Sequence, residues 1–324
     1  MDHLRCRMYP KSVLALLFAV SAVAVATQPL SVSIERPKIT GISHLAVYTS
    51  DPAAADHFYR ELVGAPKLTD PENPQGVRYA FSNVQFVEVL PLPAGTGINR
   101  RDHIAFNTDD AEGLRKFVSK AWKAPDKVTK GNDGSRWFSL RDPEGNEVQF
   151  VQPPRHAKAI SAPNVISHRI IHVGILVHRS AVEDTFYRDL LGFLPYWIGG
   201  MKEGRVDWVS LQTPDSHDWI EYMLEATHSS DDLPTGIPAN MTQNFLGVLN
   251  HMALGVSSVP DAYKVLEAGK RLEGRHGEPP TRVGLDGKYE FNMYDPDGVR
   301  VELMNFKPTE IPCCSPYTAD DPAE

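Results

Sequence analysis

Residues 44–64, HLAVYTSDPAAADHFYRELVG, recur in diverged form as residues 172–192, HVGILVHRSAVEDTFYRDLLG. Both copies begin with histidine and end in the pattern FYR-x-L-x-G, and the offset is 128 at both ends (172 − 44 and 192 − 64). A constant offset over such a length indicates a duplicated structural unit. The chain is therefore predicted to contain two homologous domains.

Two further motifs extend the repeat. Residues 103–106, HIAF, correspond to residues 251–254, HMAL, with an offset of 148 (251 − 103). The turn at 142–145, DPEG, corresponds to 295–298, DPDG, with an offset of 153 (295 − 142). The growing offset indicates insertions in the second copy. The stretch 227–244, rich in Pro, Asn and Ser, is predicted to be a long loop.

A finer unit repeats within each copy. Residues 42–48 alternate as a strand does, Ser50-Asp51-Pro52 is a helix-start signal, and Gly64 ends the helix. Further apolar runs follow as strands, and the pattern restarts at His103. The predicted unit is β-α-β-β-β, and we expect it four times in the chain.

The N-terminal residues have the composition of a secretory signal peptide. Arg5, Arg7 and Lys11 precede the apolar run 13–26, which ends at Ala26 in the small-residue pattern AVA. A run of about 14 residues is too short to span a bilayer comfortably. We expect cleavage near Ala26 and export to the periplasm or the medium. A buried helix or an uncleaved anchor is the alternative.

The motifs and the Pro-rich stretches divide the chain. The predicted segments are a signal peptide 1–26, an N-terminal linker 27–39, a first domain 40–152, a linker 153–165, a second domain 166–307 and a mobile C-terminal tail 308–324. Adjacent cysteines rarely bridge each other without strain, so Cys313 and Cys314 are expected to be incidental. A metal site or an intermolecular thiol is the alternative for this pair.

Composition excludes several classes of protein. The 324 residues include 33 Lys and Arg against 41 Asp and Glu, a formal net charge of −8. This acidic balance argues against a surface that tracks phosphates, so we expect no nucleic-acid partner. Hydrophobic residues make up 42% and charged residues 23%, which is typical of globular proteins. After signal cleavage we expect no membrane association and a small-molecule substrate.

Taken in order, these motifs resemble those of the vicinal oxygen chelate superfamily. That family includes glyoxalase I, extradiol ring-cleaving dioxygenases, fosfomycin-resistance enzymes and bleomycin-binding proteins. The resemblance covers roughly residues 40–152 and 166–307. It implies an α+β fold in which tandem paired βαβββ modules form two half-open barrels. Because this fold hosts many chemistries, the resemblance does not select an activity.

The resemblance implies a metal site in the second domain, with His172, His251 and Glu302 as ligands. Two imidazoles and one carboxylate hold a divalent ion on one face and leave its other positions open. Glu221 lies where glyoxalase-like members place another glutamate ligand. Its alternative role is an inward polar group that supports a ligand histidine.

The first domain matches the same pattern less completely. It offers His44, Glu88 and His103, but Gln149 stands where the second copy has Glu302. Losing an anionic ligand weakens the hold on a divalent cation. We therefore expect a scaffold with a vestigial site. Metal binding by this half is the alternative, because glutamine is a possible ligand in this fold.

The resemblance suggests an extradiol dioxygenase that uses Fe(II) or Mn(II). His217 is a candidate acid–base residue, with an exposed loop histidine as the alternative. Ring-cleaving members carry a tyrosine three residues before the DPxG turn, where this chain has Asn292. The nearest tyrosines, Tyr289 and Tyr294, make Tyr294 a candidate catalytic donor. Further aromatic candidates for the walls of the site are Trp208, Trp219 and Tyr222, with packing in the core as the alternative role for most of them.

Two other functions remain open. A glyoxalase- or epimerase-like lyase or isomerase would use Ni, Co or Zn, with Glu221 or Glu302 moving a proton. The complete set of two histidines and two glutamates favours it, whereas export argues against a glutathione thioester as substrate. A non-enzymatic small-molecule-binding protein, like the bleomycin-resistance members, is the third possibility. Such a protein needs an apolar cleft but no metal ligands.

Overall fold

The computed structural model describes most of the chain, namely residues 35–157, 159–202, 204–224, 237–272 and 282–323. The expected signal peptide and much of the expected loop 227–244 lie outside the described residues. Export therefore stays a prediction from the sequence. Within the described part, no helix has the length and apolarity needed to cross a membrane.

The first domain is a mixed sheet with helices packed on it. Its strands are β1 (Ile39–Thr49), β2 (Lys67–Thr69), β3 (Val77–Ala80), β4 (Phe86–Pro91), β5 (Arg101–Thr108), β6 (Thr129–Lys130), β7 (Arg136–Arg141) and β8 (Glu147–Gln152). Its helices are α1 (Pro52–Asp56), continued by a π-helical turn (His57–Leu62), and α2 (Ala111–Val118). The strand order β2-β3-β4-β1-β5-β8-β7-β6 places β1 and β5, which carry the two motif histidines, side by side.

The second domain has the same arrangement. Its strands are β9 (Ile170–Val177), β10 (Leu194–Gly199), β11 (Trp208–Gln212), β12 (Trp219–Leu224), β13 (His251–Val256), β14 (Glu290–Tyr294) and β15 (Arg300–Asn305). Its helices are α3 (Ser180–Asp184), continued by a π-helical turn (Thr185–Leu190), α4 (Gln243–Leu249) and α5 (Val259–Ala268). The strand order is β10-β11-β12-β9-β13-β15-β14.

The fourth predicted unit differs from the other three. In the part of the chain that the structure describes, α5 is followed by two strands, β14 and β15, and by an isolated bridge between Val283 and Tyr289. Residues 273–281, between α5 and β14, lie outside the described residues, so the third strand of this unit stays a prediction. Helix α4, which precedes β13, is an addition that the sequence reading did not include.

The start and the end of α1 follow from individual residues. The Asp51 carboxylate accepts hydrogen bonds from the N–H groups of Ala53 and Ala54 at 3.1 and 3.0 Å, which caps the helix as predicted. Gly64 ends the element with φ of 82°. A Cβ atom at this position would lie 2.0 Å from the carbonyl oxygen of Asn164, so only glycine fits.

The repeated motifs hold the two domains to each other. The hydroxyl of Tyr59, in the first FYR motif, donates to Asp295 of the second DPxG turn at 2.9 Å. Reciprocally, Tyr187 of the second motif donates to Asp142 of the first turn at 3.2 Å. Buried apolar residues of both domains form one continuous core. The FYR and DPxG motifs therefore repeat together because each completes a contact with the opposite domain.

The C-terminal segment contacts the second domain, whereas its Pro-rich sequence led us to expect a mobile tail. The Tyr317 hydroxyl donates to the carbonyl oxygen of Asp286 at 2.9 Å. Asp321 pairs with Lys288 at 2.8 Å, and the Lys288 side chain is completely buried. These contacts correct the expectation, because the composition of the tail does not reveal the buried lysine that pairs with its aspartate.

The two adjacent cysteines of the tail form a disulfide. Cys313 and Cys314 are bonded to each other, and the chain turns at Cys314 with φ of 75°. The N–H group of Cys313 donates to the carbonyl oxygen of Leu285 at 2.7 Å, which fixes this turn against the second domain. The pair therefore has a defined place in the fold, whereas the sequence reading expected it to be incidental.

Candidate metal centres

The predicted ligands of the second domain converge because their strands are neighbours. Strand β13 with His251 lies between β9 with His172 and β15 with Glu302. In the strand register Ala253 pairs with both His172 and Glu302, so these two ligands lie at one level of the sheet, and His251 lies two residues away on β13 between them. Strand β12 with Glu221 borders β9 on its other side. The structure therefore brings together residues that are up to 130 positions apart (302 − 172).

The distances within this cluster are those of potential metal ligands. The Nε2 atoms of His172 and His251 are 2.9 Å apart. An oxygen of Glu302 lies 3.6 Å from His172 Nε2 and 3.8 Å from His251 Nε2. An oxygen of Glu221 lies 4.0 and 3.7 Å from the same two atoms. The two glutamates are thus almost equally close to the imidazoles.

The surroundings of the histidines prepare them to bind a cation. His251 Nδ1 lies 3.1 Å from the carbonyl oxygen of Leu249, which only accepts, so Nδ1 carries the proton and Nε2 carries a lone pair. Gly174 makes room for this ring, since a Cβ there would lie 2.0 Å from His251 Cε1. Buried imidazoles beside buried carboxylates are ligands suited to divalent first-row metals. The residues therefore fit a resident divalent metal ion.

Arg300 also joins this cluster, and the sequence reading missed it. Its Nη2 lies 2.7 Å from His251 Nε2. Because a guanidinium only donates, this contact independently requires a lone pair on His251 Nε2. Arg300 precedes Glu302 by two residues on β15, so strand alternation puts both on one face. That alternation is the signal that would have found it.

Burial sets the protonation of the cluster. It raises the pKa of Glu221 to about 8 and that of Glu302 to about 7, although the charge of Arg300 opposes both shifts. Burial, aided by the charge of Arg300, lowers the pKa of both His172 and His251 well below the ordinary histidine value. The imidazoles are therefore neutral at pH 7, as metal ligands must be.

A cavity of about 370 Å³ reaches this cluster. Trp197 and Trp208 line it with stacked rings whose centroids are 6.3 Å apart, and Glu221, Glu302 and Arg300 also line it. The Glu221 side chain is 13% exposed and that of Glu302 only 3%, so Glu221 is the more accessible acid. Clefts of roughly 300–1,000 Å³ bind small molecules, and the volume of this cavity lies within that range.

Two residues predicted to be catalytic lie elsewhere. His217 is exposed in the turn before β12 and lines a different cavity, and Tyr294, 38% exposed at the end of β14, lines a third. Trp219 and Tyr222 are buried, and Trp219 packs on the His172 ring with centroids 4.8 Å apart. The structure corrects the placement of His217 and Tyr294, because at a strand end the alternation that aims side chains inward no longer holds.

The first domain forms a second cluster with the same geometry. His44 on β1, Glu88 on β4 and His103 on β5 meet as their counterparts do. The two histidine Nε2 atoms are 2.9 Å apart, and a Glu88 oxygen lies 3.9 Å from His44 Nε2 and 3.8 Å from His103 Nε2. All three residues are at most 5% exposed. Three of the four residues expected in a vestigial site therefore meet in one cluster.

Side chains rather than backbone groups hold these histidines. His103 Nδ1 lies 2.7 Å from a carboxylate oxygen of Asp102, and His44 Nδ1 lies 3.0 Å from the Ser43 hydroxyl. Metal-binding histidines commonly donate their second nitrogen to a carboxylate in this way. The sequence reading missed Asp102, although it directly precedes a predicted ligand.

Gln149 and Glu88 complete the first cluster. Gln149 Nε2 donates to the carboxylate of Glu72, which comes from the loop between β2 and β3 and was also missed. Burial and the neighbouring carboxylate of Asp70 raise the pKa of Glu88 to about 10. The acid of this cluster is therefore protonated at neutral pH unless a cation replaces the proton.

A cavity of about 690 Å³ lies beside this cluster but stops short of it. Of the described residues that line it, Ser43 and Phe86 touch the cluster: Phe86 stacks on the His44 ring with centroids 4.4 Å apart. None of His44, Glu88, His103 and Gln149 is among its lining residues. The described cavity of the first domain reaches only Ser43 and Phe86, whereas that of the second domain is lined by Glu221 and Glu302 themselves.

Comparison with known proteins identifies both halves as one type of domain. The sequence profile of the Glyoxalase/Bleomycin resistance protein/Dioxygenase superfamily matches residues 41–150 and again residues 169–303. No curated protein matches the chain in sequence. The two matched segments coincide with the two sheets.

Solved structures share this fold at low sequence identity. An extradiol ring-cleaving dioxygenase from B. fuscum superposes with a TM-score of 0.60 at 14% identity, over 84% of this chain and 73% of that one. The 2,3-dioxygenase LapB from a Pseudomonas strain gives 0.61 at 14% identity, over 87% and 97%. The Mn(II)-bound glyoxalase from Novosphingobium aromaticivorans gives 0.59 at 18% identity, over 83% of each chain. At this identity the likeness extends to the fold and not to the reaction.

Proposed function

The chain belongs to the Glyoxalase/Bleomycin resistance protein/Dioxygenase superfamily, and we propose that it is a metal-dependent enzyme whose second domain acts on a small molecule with two neighbouring oxygen atoms. The observation that carries this proposal is that the cluster of His172, His251 and Glu302 opens onto a cavity. Two histidines and one carboxylate leave positions of a divalent ion open for both oxygens.

The first candidate reaction is oxidative ring cleavage of a catechol with Fe(II) or Mn(II). The stacked rings of Trp197 and Trp208 form a flat apolar wall that suits an aromatic substrate. The metal, when bound, supplies Lewis acidity and redox capacity. Glu221, the more accessible of the two glutamates, takes the second hydroxyl proton when it is deprotonated, which its pKa of about 8 places at mildly alkaline pH. Arg300 then pairs with the resulting oxyanion.

The second candidate is a lyase or isomerase reaction with Ni, Co or Zn. A specific observation favours it: Glu221 lies as close to the two imidazoles as Glu302 does. With Glu221 as a fourth ligand, fewer positions remain for oxygen. Either glutamate then moves a proton between adjacent substrate carbons. Asn292, which stands where ring-cleaving relatives carry tyrosine, also favours this second reaction.

Metal content and oxygen consumption separate these candidates. The purified protein is analysed for bound metal and then assayed with catechols in an oxygen electrode. Iron or manganese with oxygen uptake supports ring cleavage, and Ni, Co or Zn with oxygen-independent turnover of an α-oxo substrate supports the second reaction. If the protein binds no divalent metal after reconstitution, the enzyme proposal is wrong and a small-molecule-binding role replaces it.

The Glu221→Gln variant tests the role of this residue. Gln is nearly isosteric but neither carries the charge nor accepts the proton. In the dioxygenase reaction we expect retained metal and a slower turnover, whereas in the second reaction we expect weaker metal binding as well. Unchanged metal affinity together with unchanged turnover would exclude Glu221 from the mechanism.

A further inference from the structure

We propose that the disulfide between Cys313 and Cys314 is a redox-sensitive site that controls the cavity of the second domain. The oxidised pair holds two walls of this cavity in place, and reduction by a dithiol releases them. The effect on the walls follows from the contacts of the tail alone, whereas an effect on substrate binding also rests on the proposed function.

The first wall is the loop that precedes β14. Leu285 and Asp286 of this loop line the cavity of about 370 Å³. The N–H group of Cys313 donates to the carbonyl oxygen of Leu285 at 2.7 Å. The Tyr317 hydroxyl donates to the carbonyl oxygen of Asp286 at 2.9 Å. The tail therefore binds the backbone of both lining residues.

The second wall is the end of β10, where Trp197 lines the same cavity. The Ser315 hydroxyl donates to the carbonyl oxygen of Ile198 at 2.9 Å and accepts from its N–H group at 3.0 Å. The Cys314 sulfur lies 3.7 Å from the carbonyl oxygen of Gly200. Two consecutive residues of the tail therefore contact this wall, directly after the residue that contacts the loop.

The disulfide fixes the turn that makes these contacts. A disulfide between adjacent residues closes the smallest possible loop, so it constrains the unfolded chain very little. Its contribution is local instead. Cys314 has φ of 75°, in a left-handed region that non-glycine residues occupy only where the surrounding structure holds them. When the bond opens, Cys314 can leave this conformation, and the contacts on both sides of it change.

The disulfide is also accessible to a thiol, since Cys314 is exposed and Cys313 is half-buried. A thiolate of the dithiol attacks the Cys314 sulfur, which breaks the S–S bond and releases Cys313 as a thiolate that takes up a proton. The second thiol of the reductant then attacks the mixed disulfide and releases Cys314. The cysteine pair gains two electrons and two protons, and the dithiol becomes a disulfide.

The test compares hydrogen exchange of the oxidised and the reduced protein. The folded chain is incubated with or without excess dithiothreitol, and alkylation with peptide mapping establishes the state of Cys313 and Cys314. Deuterium uptake is then followed by mass spectrometry. We expect reduction to raise exchange about tenfold at the Ile198 amide and across residues 284–287, and to leave β13 unchanged.

The outcome does not depend on activity. The proposal is wrong if dithiothreitol leaves the pair bonded in the folded protein, or if reduction changes exchange in neither wall, whether or not the protein is an enzyme. Once a substrate is known, reduction should also raise KM by about threefold to tenfold, because loosened walls weaken substrate binding. An unchanged KM alongside faster exchange would contradict control of substrate binding.

Three variants separate the disulfide from other causes. The Cys313→Ser/Cys314→Ser double variant should exchange like the reduced protein, with or without dithiothreitol. Cys6→Ser, which removes the third cysteine of the chain, is the matched control and should respond as the wild type does. Ser315→Ala keeps the disulfide but loses the hydrogen bonds to Ile198, so it should raise exchange at the end of β10 alone. If it changes nothing there, the tail does not hold this wall.

Discussion

The two halves of this protein assemble nearly identical groups of histidines and carboxylates, yet only the second group lines the described cavity next to it. In both, the imidazole Nε2 atoms are 2.9 Å apart and a glutamate oxygen lies within 4 Å of each. The second cluster lines a cavity of about 370 Å³, whereas the cavity beside the first stops at Phe86.

The difference shows that the ligand motif alone does not determine the role of a site. His103 is held by the Asp102 carboxylate, while His251 is held by the carbonyl oxygen of Leu249. Arg300 projects to the second cluster from a position where the first domain has Glu147. We infer that the surroundings assign the chemistry to the second domain.

The largest expected effect separates the two clusters by activity. His251→Ala should lower turnover by more than about a thousandfold, because metal polarisation contributes several kcal/mol to the barrier. His103→Ala should lower Tm but leave turnover per folded chain within about threefold at 25 °C. Steady-state kinetics with the substrate found in the oxygen-electrode screen, referenced to folded fraction, measures both. If His251→Ala and His103→Ala lowered turnover equally, the assignment of catalysis to the second domain alone would be wrong.

The second expected effect concerns Asp102, the carboxylate beside His103, at whose equivalent position the second domain has Asn250. Asp102→Asn should weaken metal binding at the first site about 10–100-fold, because a carboxylate that accepts from Nδ1 of a ligand histidine orients the ring and raises its basicity. Competition with a chromophoric chelator, in the background that lacks His172 and His251, measures the affinity. Asn250→Ala, at the equivalent position before His251, is the control and should leave first-site affinity unchanged.

A smaller effect concerns pH and the second site. The pKa of Glu302, raised to about 7 by burial, means that this carboxyl holds a proton below pH 7, and a metal ion must displace it. Affinity should therefore rise with pH, by about tenfold between pH 6 and pH 8, and level off above the pKa. If Glu221, with a pKa of about 8, is also a ligand, the rise becomes steeper and continues to pH 9. A pH-independent affinity would contradict both assignments.

The smallest expected effect belongs to the tail, which contacts the second domain. Asp321→Asn removes the charge that pairs with buried Lys288 and should lower the free energy of unfolding by about 1–2 kcal/mol. Asp320→Asn is the matched control, since the side chain of Asp320 is exposed. Denaturant unfolding measures both. If Asp321→Asn and Asp320→Asn had the same free energy of unfolding, the contact between Asp321 and Lys288 would not stabilise this domain.

The sequence was sufficient for the architecture and for the residues that meet in the two clusters, whose role as metal ligands stays a prediction. The repeat at 44–64 and 172–192 predicted two homologous α+β domains, and both sheets and the family match confirm this. The helix cap at Asp51 was also correct, since it depends on residues two and three positions away. Patterns that repeat, or that act locally, are visible in one sequence.

What the sequence did not reveal depends on contacts between distant residues. The link from Glu72 to Gln149 joins positions 77 residues apart, and nothing in either motif indicates it. The same is true of Lys288 and Asp321. His217 and Tyr294 were chosen for chemistry and proximity in sequence, but the turns at their strand ends carry them to other surfaces. That the described cavity of the first domain stops short of its cluster depends on packing that no motif encodes.

Anomalous diffraction from crystals of the Mn(II)-loaded protein tests the division between the two clusters most directly. The account predicts a peak among His172, His251 and Glu302, beside the cavity of about 370 Å³. A peak confined to the cluster of His44, Glu88 and His103, or no peak at either cluster, would contradict the proposed catalytic centre.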